Sequence, residues 1–471
     1  MKNLFWWLFG LFGVSLVFAA FFFDGTGDGG DSITHFLFAQ YALKHPENFF
    51  NHWAKPLFVL LAMPFAQFGF IGVKIFNIGM TLISTFFAYR ISQKIDLKAT
   101  PYLPIFLGGM PLLLQVTLSG LTEPLSAAML TFAIFAMFGS YKIRFIAIII
   151  VSFLPFVRSE GLLLCGVFAI YLLWQRDYKK LPLLAVGHLI YSIVGGFFVY
   201  HDFFWVLNKI PYANTVTGSY GHGKLLHFLQ QLYYGTSLPM VVLMMLGLVA
   251  INFSLFTTKN KNGKFIAEKV ILIAGCSLII IISHSIFWYF GIFNSFGMSR
   301  VLVTIMPLLA VIALVGYTFI IEYLARKVKE ILILAVTLLL IIGFPIIKKT
   351  YSFANLHRSP DQNQAYLVNN FIQKEFPDRD RYALLYQHPY LAIALKDDFF
   401  NTKKSQRFTA ITSEQTFVQP TILIWDNWFA VMDGGTEEAA LRQNRNLRLV
   451  QAFRSEADTV QRMLVFKTID K

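Results

Sequence analysis

Asp24, Asp28 and Asp31 fall within eight residues, spaced by four glycines and a threonine in the run Asp24-Gly-Thr-Gly-Asp28-Gly-Gly-Asp31. A carboxylate can take the proton of a hydroxyl as it attacks an electrophilic carbon. Glycine lets the turn that carries it bend without steric cost. Asp31 opens an amphipathic stretch in which Phe36, Leu37, Tyr41 and Leu43 are spaced to lie along a membrane surface. That position suits a base, and it equally suits a helix cap. We take Asp31 as the first candidate base and Asp28 as the second. Calcium is a weaker reading, because the spacing is not that of an EF-hand loop. His35 and His52 read as interfacial packing rings or metal ligands, and His35 is placed with the residues of a substrate cavity.

Further charges follow at the ends of apolar runs. They are Lys55 in Trp53-Ala54-Lys55-Pro56-Leu57, Glu123 in Leu121-Thr122-Glu123-Pro124-Leu125 and Arg158 in Val157-Arg158-Ser159-Glu160-Gly161. Arg300 closes Asn294-Ser295-Phe296-Gly297-Met298-Ser299-Arg300. Each alone fits a side chain snorkelling to headgroups. Four such turns on one side, facing the acidic loop, predict one shared polar cavity. Lys55, Arg158 and Arg300 would then offer positive charge to a phosphate, and Glu123 would join His35 on the cavity wall. Arg300 could pair with a carboxylate, a headgroup or a donor phosphate. The phosphate is favoured, because a guanidinium can grip it with two parallel bonds.

The elements that must position these groups are membrane spans. Of 471 residues 56% are hydrophobic, 17% aromatic and only 14% charged, well below the charged fraction of a soluble domain. Fifty Phe also exclude a disordered chain. Spans of about 20 apolar residues, fewer where protein shields the helix, read as eleven: 4–23, 70–89, 102–116, 124–139, 145–156, 161–174, 181–199, 238–256, 270–290, 301–321 and 331–347. With Lys2 cytoplasmic, the cytoplasmic segments hold sixteen basic residues, among them Lys259, Arg326 and Lys327, against seven on the other side. The net charge of +14 is therefore mostly the positive-inside bias, and no nucleic-acid partner is expected. Every candidate above falls on the outer side. Cys165 and Cys276 sit in apolar runs and read as small buried hydrophobes.

After residue 347 the composition turns polar. Strand-like runs lie at 382–386, 421–425, 447–453 and 463–468, and helical spacing brings Ala365, Val368 and Ile372 to one face. We expect two domains, a transmembrane one over 1–347 and a small extracytoplasmic α/β one over 348–471.

At the residues quoted, the sequence resembles the GT-C superfamily of integral-membrane glycosyltransferases, especially the family 39 and dolichyl-phosphate-mannose-dependent mannosyltransferase group. Asp31-Ser32 stands where that pattern has an acidic pair, and Lys55-Pro56-Leu57 where it has Lys-Pro-Pro-Leu. Glu123-Pro124-Leu125 matches the acidic-Pro-Leu turn, Arg158 through Gly161 approximates a later basic-Gly turn, and Gly297 through Arg300 matches Gly-x-x-Arg. The resemblance implies a polytopic GT-C-like helical fold. It implies inverting transfer of a sugar, a hexose and in particular mannose, from a polyprenyl-phosphate donor to an acceptor hydroxyl on the outer face. The acceptor is a glycan, lipid or protein, membrane lipids are partners, and a divalent cation stays open as a cofactor. By the same analogy the setting is a bacterial inner membrane. A polysaccharide polymerase or ligase, and a flippase or transporter for lipid-linked sugars, compete with this reading. The flippase would favour charges inside spans and repeated halves, whereas here the carboxylates cluster at one face and no repeat is found.

Overall fold

The computed structural model describes residues 2–211, 221–257, 261–293, 295–324, 328–351, 356–402, 405–408, 410–454 and 462–469. Lys259, Asn294, Arg326 and Lys327 lie outside them, as do the side chains of Lys2, Lys261, Lys264 and Lys269.

Long apolar runs without internal breakers become long helices. Six are long and apolar enough to cross a bilayer: Asn3–Phe22, Phe70–Lys94, Tyr178–Tyr200, Leu272–Phe290, Ser299–Tyr323 and Glu330–Ile347. A seventh would be the pair His227–Thr236 and Leu238–Asn252, bent by 118° at Ser237, whose φ is +93°. The chain is a polytopic integral membrane protein. Its outer helices face lipid: the first exposes Trp7, Leu11, Phe18 and Phe21, side chains that a water-facing helix would not present together.

The remaining expected spans take other forms. The stretch 102–116 is broken into Leu103–Gly108 and Pro111–Thr117, because Pro111 has no N–H to continue the first helix. The others are short apolar helices, Glu123–Met137, Tyr141–Ser152 and Gly161–Trp174. Glu123–Met137 is mostly buried between neighbours, which relieves a helix of the need for a full apolar length. One further short apolar helix, Pro56–Ala66, has no counterpart among the eleven. Lys74, deep in the second long helix, donates to the Phe23 carbonyl at 2.7 Å. Its charge thereby meets the carbonyl end of the first helix.

Ser299–Tyr323 runs through the middle of the bundle and is almost wholly buried. It crosses Leu238–Thr257 at two glycines. A Cβ on Gly316 would lie 2.0 Å from the Leu243 carbonyl oxygen, and one on Gly247 2.0 Å from that of Ile312. Small residues let helix backbones touch where no hydrophobic force draws them together.

On one end of the bundle lies a five-stranded sheet: β1 (Ala383–Tyr386), β2 (Ser405–Gln406), β3 (Thr421–Asp426), β4 (Leu447–Arg454) and β5 (Arg462–Thr468), in the order β2-β1-β3-β5-β4. β1 pairs parallel with β2 and β3, while β5 is antiparallel to β3 and β4. β2, two polar residues long, shows no alternation that a sequence pattern could reveal. The helix Pro360–Glu375 packs on this sheet through Ala365, Val368 and Ile372. The same apolar cluster takes in Ile33, Phe36 and Leu37 of Asp31–Tyr41 and Phe58 of Pro56–Ala66. The amphipathic stretch of the sequence thus spends its apolar face on protein.

Substituting Gly316 by Val should lower stability by ~1–3 kcal/mol or more, because the obstacle is backbone. Gly10→Ala, where an added Cβ meets nothing within 4 Å, should leave it unchanged. Thermal unfolding in detergent, read side by side for the two variants, checks the pair.

Candidate active site

The loop after the first helix ends in Asp31–Tyr41, and its two acidic residues divide the work. Asp28 Oδ1 accepts from the backbone N–H of Gly30 at 2.9 Å and of Ser32 at 3.1 Å. Asp28, not Asp31, therefore satisfies the open N–H groups of the helix start. Asp31 is the first helical residue and makes no capping bond, so its carboxylate is free to face outward while the helix dipole favours its charge.

Arg300 faces both. It donates through Nη1 to Asp28 Oδ2 at 2.9 Å and through Nη2 to Asp31 Oδ2, and its Nε lies 3.5 Å from Glu123 Oε1. Arg158 continues the chain of charges. Its Nη1 donates to Glu123 Oε1 at 2.5 Å and its Nε to Glu160 Oε1 at 2.6 Å. His284 Nε2 stands 3.9 Å from the same Glu160 oxygen. Glu123, Arg158 and Arg300 come from three separate turns, so this network exists only in the folded chain.

Lys55 is held differently. It heads Pro56–Ala66 with φ +67°, a conformation that costs a non-glycine residue energy and persists only where the surroundings impose it. Its Nζ donates to Ser159 Oγ at 2.8 Å. Among the described residues no carboxylate lies within ion-pair distance of it. Burial, with the Arg158 charge adding to it, pulls the ammonium down to about 8, and Glu160, Asp31 and Glu123 pull back only from farther off.

The charge states follow from this arrangement. Burial alone would raise the Asp31 carboxyl, but Arg300, with His35 and Arg158 behind it, brings it below the ordinary aspartate value. Glu160, likewise buried, is held at about 2 by Arg158 and His284. Burial drives His35 down to about 3, with Lys55, Arg300 and Arg158 adding to it against Asp31. It is a neutral ring, stacked on Trp53 at 4.9 Å with Nδ1 3.2 Å from the Ala54 carbonyl oxygen. An ionised Asp31 with its side chain 35% exposed can meet a substrate. Glu123, at 0%, cannot.

All seven residues singled out in the sequence thus gather around one set of turns at one end of the bundle, in altered positions. Glu123 and His35 are buried behind the charges rather than on a cavity wall, because two guanidinium groups enclose the first and ring packing the second. Arg300, favoured for a phosphate, is engaged by three carboxylates. Three groups went unnoticed as partners: Ser159, Glu160 and His284. His284 had a usable signal, being the lone imidazole in an apolar run.

The loop is also tied from the far side. Asp24 accepts from Arg358 Nη2 at 2.6 Å and Nε at 2.7 Å, the Gly25 N–H donates to the Leu356 carbonyl at 2.7 Å, and Gln362 Nε2 donates to Thr26 Oγ1 at 2.6 Å. A Cβ on Gly25 would sit 2.2 Å from the His357 carbonyl oxygen, so only glycine admits this strap. Next to Arg300, Ser299 lines a cavity of about 160 Å³ with Leu112, Gln115, Tyr234 and Tyr351. Among the described residues no three His, Cys, Asp or Glu side chains are grouped to hold a metal ion.

Removing Arg158 should leave the buried Glu123 with only the 3.5 Å contact to Arg300 and take from Glu160 its guanidinium partner. Arg158→Ala is expected to destabilise the protein by ~3–5 kcal/mol, and Arg158→Ala combined with Glu123→Gln by less. Chemical unfolding of the single and double variants checks the difference.

No protein-family model matches the chain, and no curated protein matches it. Solved structures do. ArnT from Cupriavidus metallidurans in the apo state superposes with a TM-score of 0.67 at 11% identity, over 98% of this chain and 97% of that one. The same protein bound to undecaprenyl phosphate gives 0.64 at 10% identity over the same shares. The arabinofuranosyltransferase AftD from Mycobacteria gives 0.53 at 11%, over 99% of this chain but 40% of that one. At such identities the likeness establishes the fold alone, which this chain shares with these proteins.

Proposed function

We propose that this chain is an inverting glycosyltransferase that moves a sugar from a polyprenyl-phosphate carrier to an acceptor hydroxyl on the outer face of the membrane. The observation that carries the reading is the pairing of charges across the outer turns. An ionised, reachable Asp31 and Lys55, a buried cation with no carboxylate within ion-pair distance among the described residues, belong to the same group of turns. A neighbour of the same fold is bound to undecaprenyl phosphate, which supports a lipid-phosphate partner here.

In this reading the acceptor hydroxyl attacks the anomeric carbon and passes its proton to the Asp31 carboxylate. The anomeric carbon–oxygen bond breaks, and its electron pair leaves with the polyprenyl phosphate. Attack opposite the leaving group inverts the carbon. Lys55 meets the phosphate as its charge grows, in a site where fixed charge acts with little screening. Arg158 backs it at one remove. Arg300 holds Asp28 and Asp31 apart and aimed, and takes a share of the phosphate once the donor competes for its donors. The long prenyl chain lies among the apolar helices.

The finer assignments extend this reading. Eleven spans with Lys2 inside put the acidic loop and residues 348–471, taken as a separate extracytoplasmic domain, outside the cytoplasm of a bacterial inner membrane. The resemblance to mannosyltransferases makes a hexose, and mannose first, the sugar. Polyprenyl-phosphate mannose should then outperform a polyprenyl-phosphate pentose in transfer to envelope glycans, lipids or proteins.

Asp31→Asn preserves shape and removes the base, so turnover should fall by ~10²-fold or more with the fold intact. Near-normal turnover would move the role to Asp28 or end the assignment. Lys55 supplies the pH test. Its ammonium is intact below about 8 and is lost as the pH rises through that value. Affinity for undecaprenyl phosphate should therefore be level below it and fall above it, by up to ~10-fold per pH unit. Lys55→Arg should carry the plateau to higher pH, and Lys55→Ala should abolish the dependence. Ligand-induced thermal stabilisation across a pH series reads all three.

A further inference from the structure

In an open sheet with parallel strands, ligands bind outside the carboxyl ends of two neighbouring strands whose connections run in opposite directions. β1 and β3 are such a pair. From β1 the chain passes to β2 on one side and then to β3 on the other, all three parallel. Their carboxyl ends lead to His388 and to the turn at Asp426, and both ends point at the acidic loop. Asp361 Oδ2, paired with His388 Nε2 at 2.8 Å, lies 3.9 Å from a Cβ built on Gly29. The Phe429 ring lies 3.1 Å from one built on Gly30.

The turn after β3 is fixed in advance. The Asp426 carboxylate accepts from the backbone N–H of Trp428, Phe429 and Ala430 at 3.0, 2.6 and 3.2 Å. This rigid turn nonetheless leaves a large apolar surface in the open. Trp428 is 48% exposed and Met432, one helical turn on, 52%. Asp433 follows, with its carboxyl raised by the surrounding protein, by Asp426 and by the charge of Asp31, against the pull of Arg407. With Phe429 sealed on Gly30, Trp428 stands on the order of 10–15 Å from Asp31, a distance that a short oligosaccharide bridges.

We propose that the exposed turn outside the carboxyl end of β3, beside the acidic loop, is a subsite for a pyranose ring of the acceptor, with Trp428 as its stacking face and Asp433 accepting from a sugar hydroxyl. This rests on the glycosyl-transfer reading and names its acceptor class as carbohydrate. A pyranose presents one face of C–H bonds with hydroxyls around the edge. The indole face, negative in its quadrupole, suits the first, and the adjoining carboxylate suits the second. Stacking on a preformed turn orders no loop, so little of the interaction is offset by lost freedom.

The test uses the full chain in lipid nanodiscs on an array of immobilised oligosaccharides of mannose, glucose and N-acetylglucosamine, with undecaprenyl phosphate binding measured in parallel. The wild type should retain a subset of these glycans. Trp428→Ala should lose that retention by about 10-fold, Trp428→Phe should keep most of it, and all three should bind undecaprenyl phosphate alike. Should Trp428→Ala fail to fold, Trp428→Gln takes its place with the same expectation. Retention unchanged on losing Trp428, or no glycan retained by the wild type, overturns the subsite. So does a Trp428-dependent affinity for phosphatidylglycerol vesicles without one for glycans, which would make the indole a membrane anchor. Glycans retained through Trp428 by a chain that does not bind undecaprenyl phosphate would keep the subsite and remove the donor reading.

Discussion

The chain of alternating charges from Asp28 and Asp31 through Arg300, Glu123 and Arg158 to Glu160 is the constraint around which one end of the bundle is arranged. Each of these groups would be costly to bury alone, and each is paired with an opposite charge, from a different turn in every case but Glu160, which Arg158 of its own turn holds. The network joins the loop after the first helix to turns before residues 123, 161 and 301. It therefore fixes the mutual placement of helices whose lipid-facing sides carry no such information. Helix packing in a bilayer is weakly directional, and a charge network supplies direction.

Lys55 is the exception that gives the network its use. The other cations are held by carboxylates at close range, while this one rests on a serine hydroxyl and is partly stripped of its proton affinity by burial and by Arg158. An arriving phosphate would restore what the protein withholds. A left-handed backbone at the same residue shows the fold accepting strain to keep the ammonium in place. Arg300 has the converse part. Its guanidinium sets the distance between the two aspartates and keeps Asp31 ionised at neutral pH.

The sheet layer belongs to this arrangement rather than standing apart from it. It shares an apolar cluster with Asp31–Tyr41 and Pro56–Ala66, and Arg358 and Gln362 reach down to Asp24 and Thr26. The acidic loop, rich in glycine and intrinsically loose, is thus clamped from below by Arg300 and from above by the strap at 356–362. A carboxylate held from both sides is pre-organised at little further entropic cost.

The sequence by itself determined the solvent of each segment. Apolar run length fixed the long helices and the polarity change after residue 347, because burying or exposing apolar surface is an additive, local property of a stretch. It also marked the charges of the site other than Glu160, since a charge at the mouth of an apolar helix is expensive and so conspicuous. What it left open were the partnerships. Whether Arg300 meets a carboxylate or a phosphate and whether Glu123 faces a cavity depend on separations of a few ångströms between turns tens to hundreds of residues apart, and whether Asp28 or Asp31 caps the helix depends on the path of the glycine-rich loop. Coulomb and hydrogen-bond energies change steeply over such distances, and no periodicity along the chain encodes them. The short spans show the same division. Apolar composition was legible in 102–116 and 161–174, and the second helix runs as read, but the break in the first was decided by proline geometry and by the neighbours that enclose it.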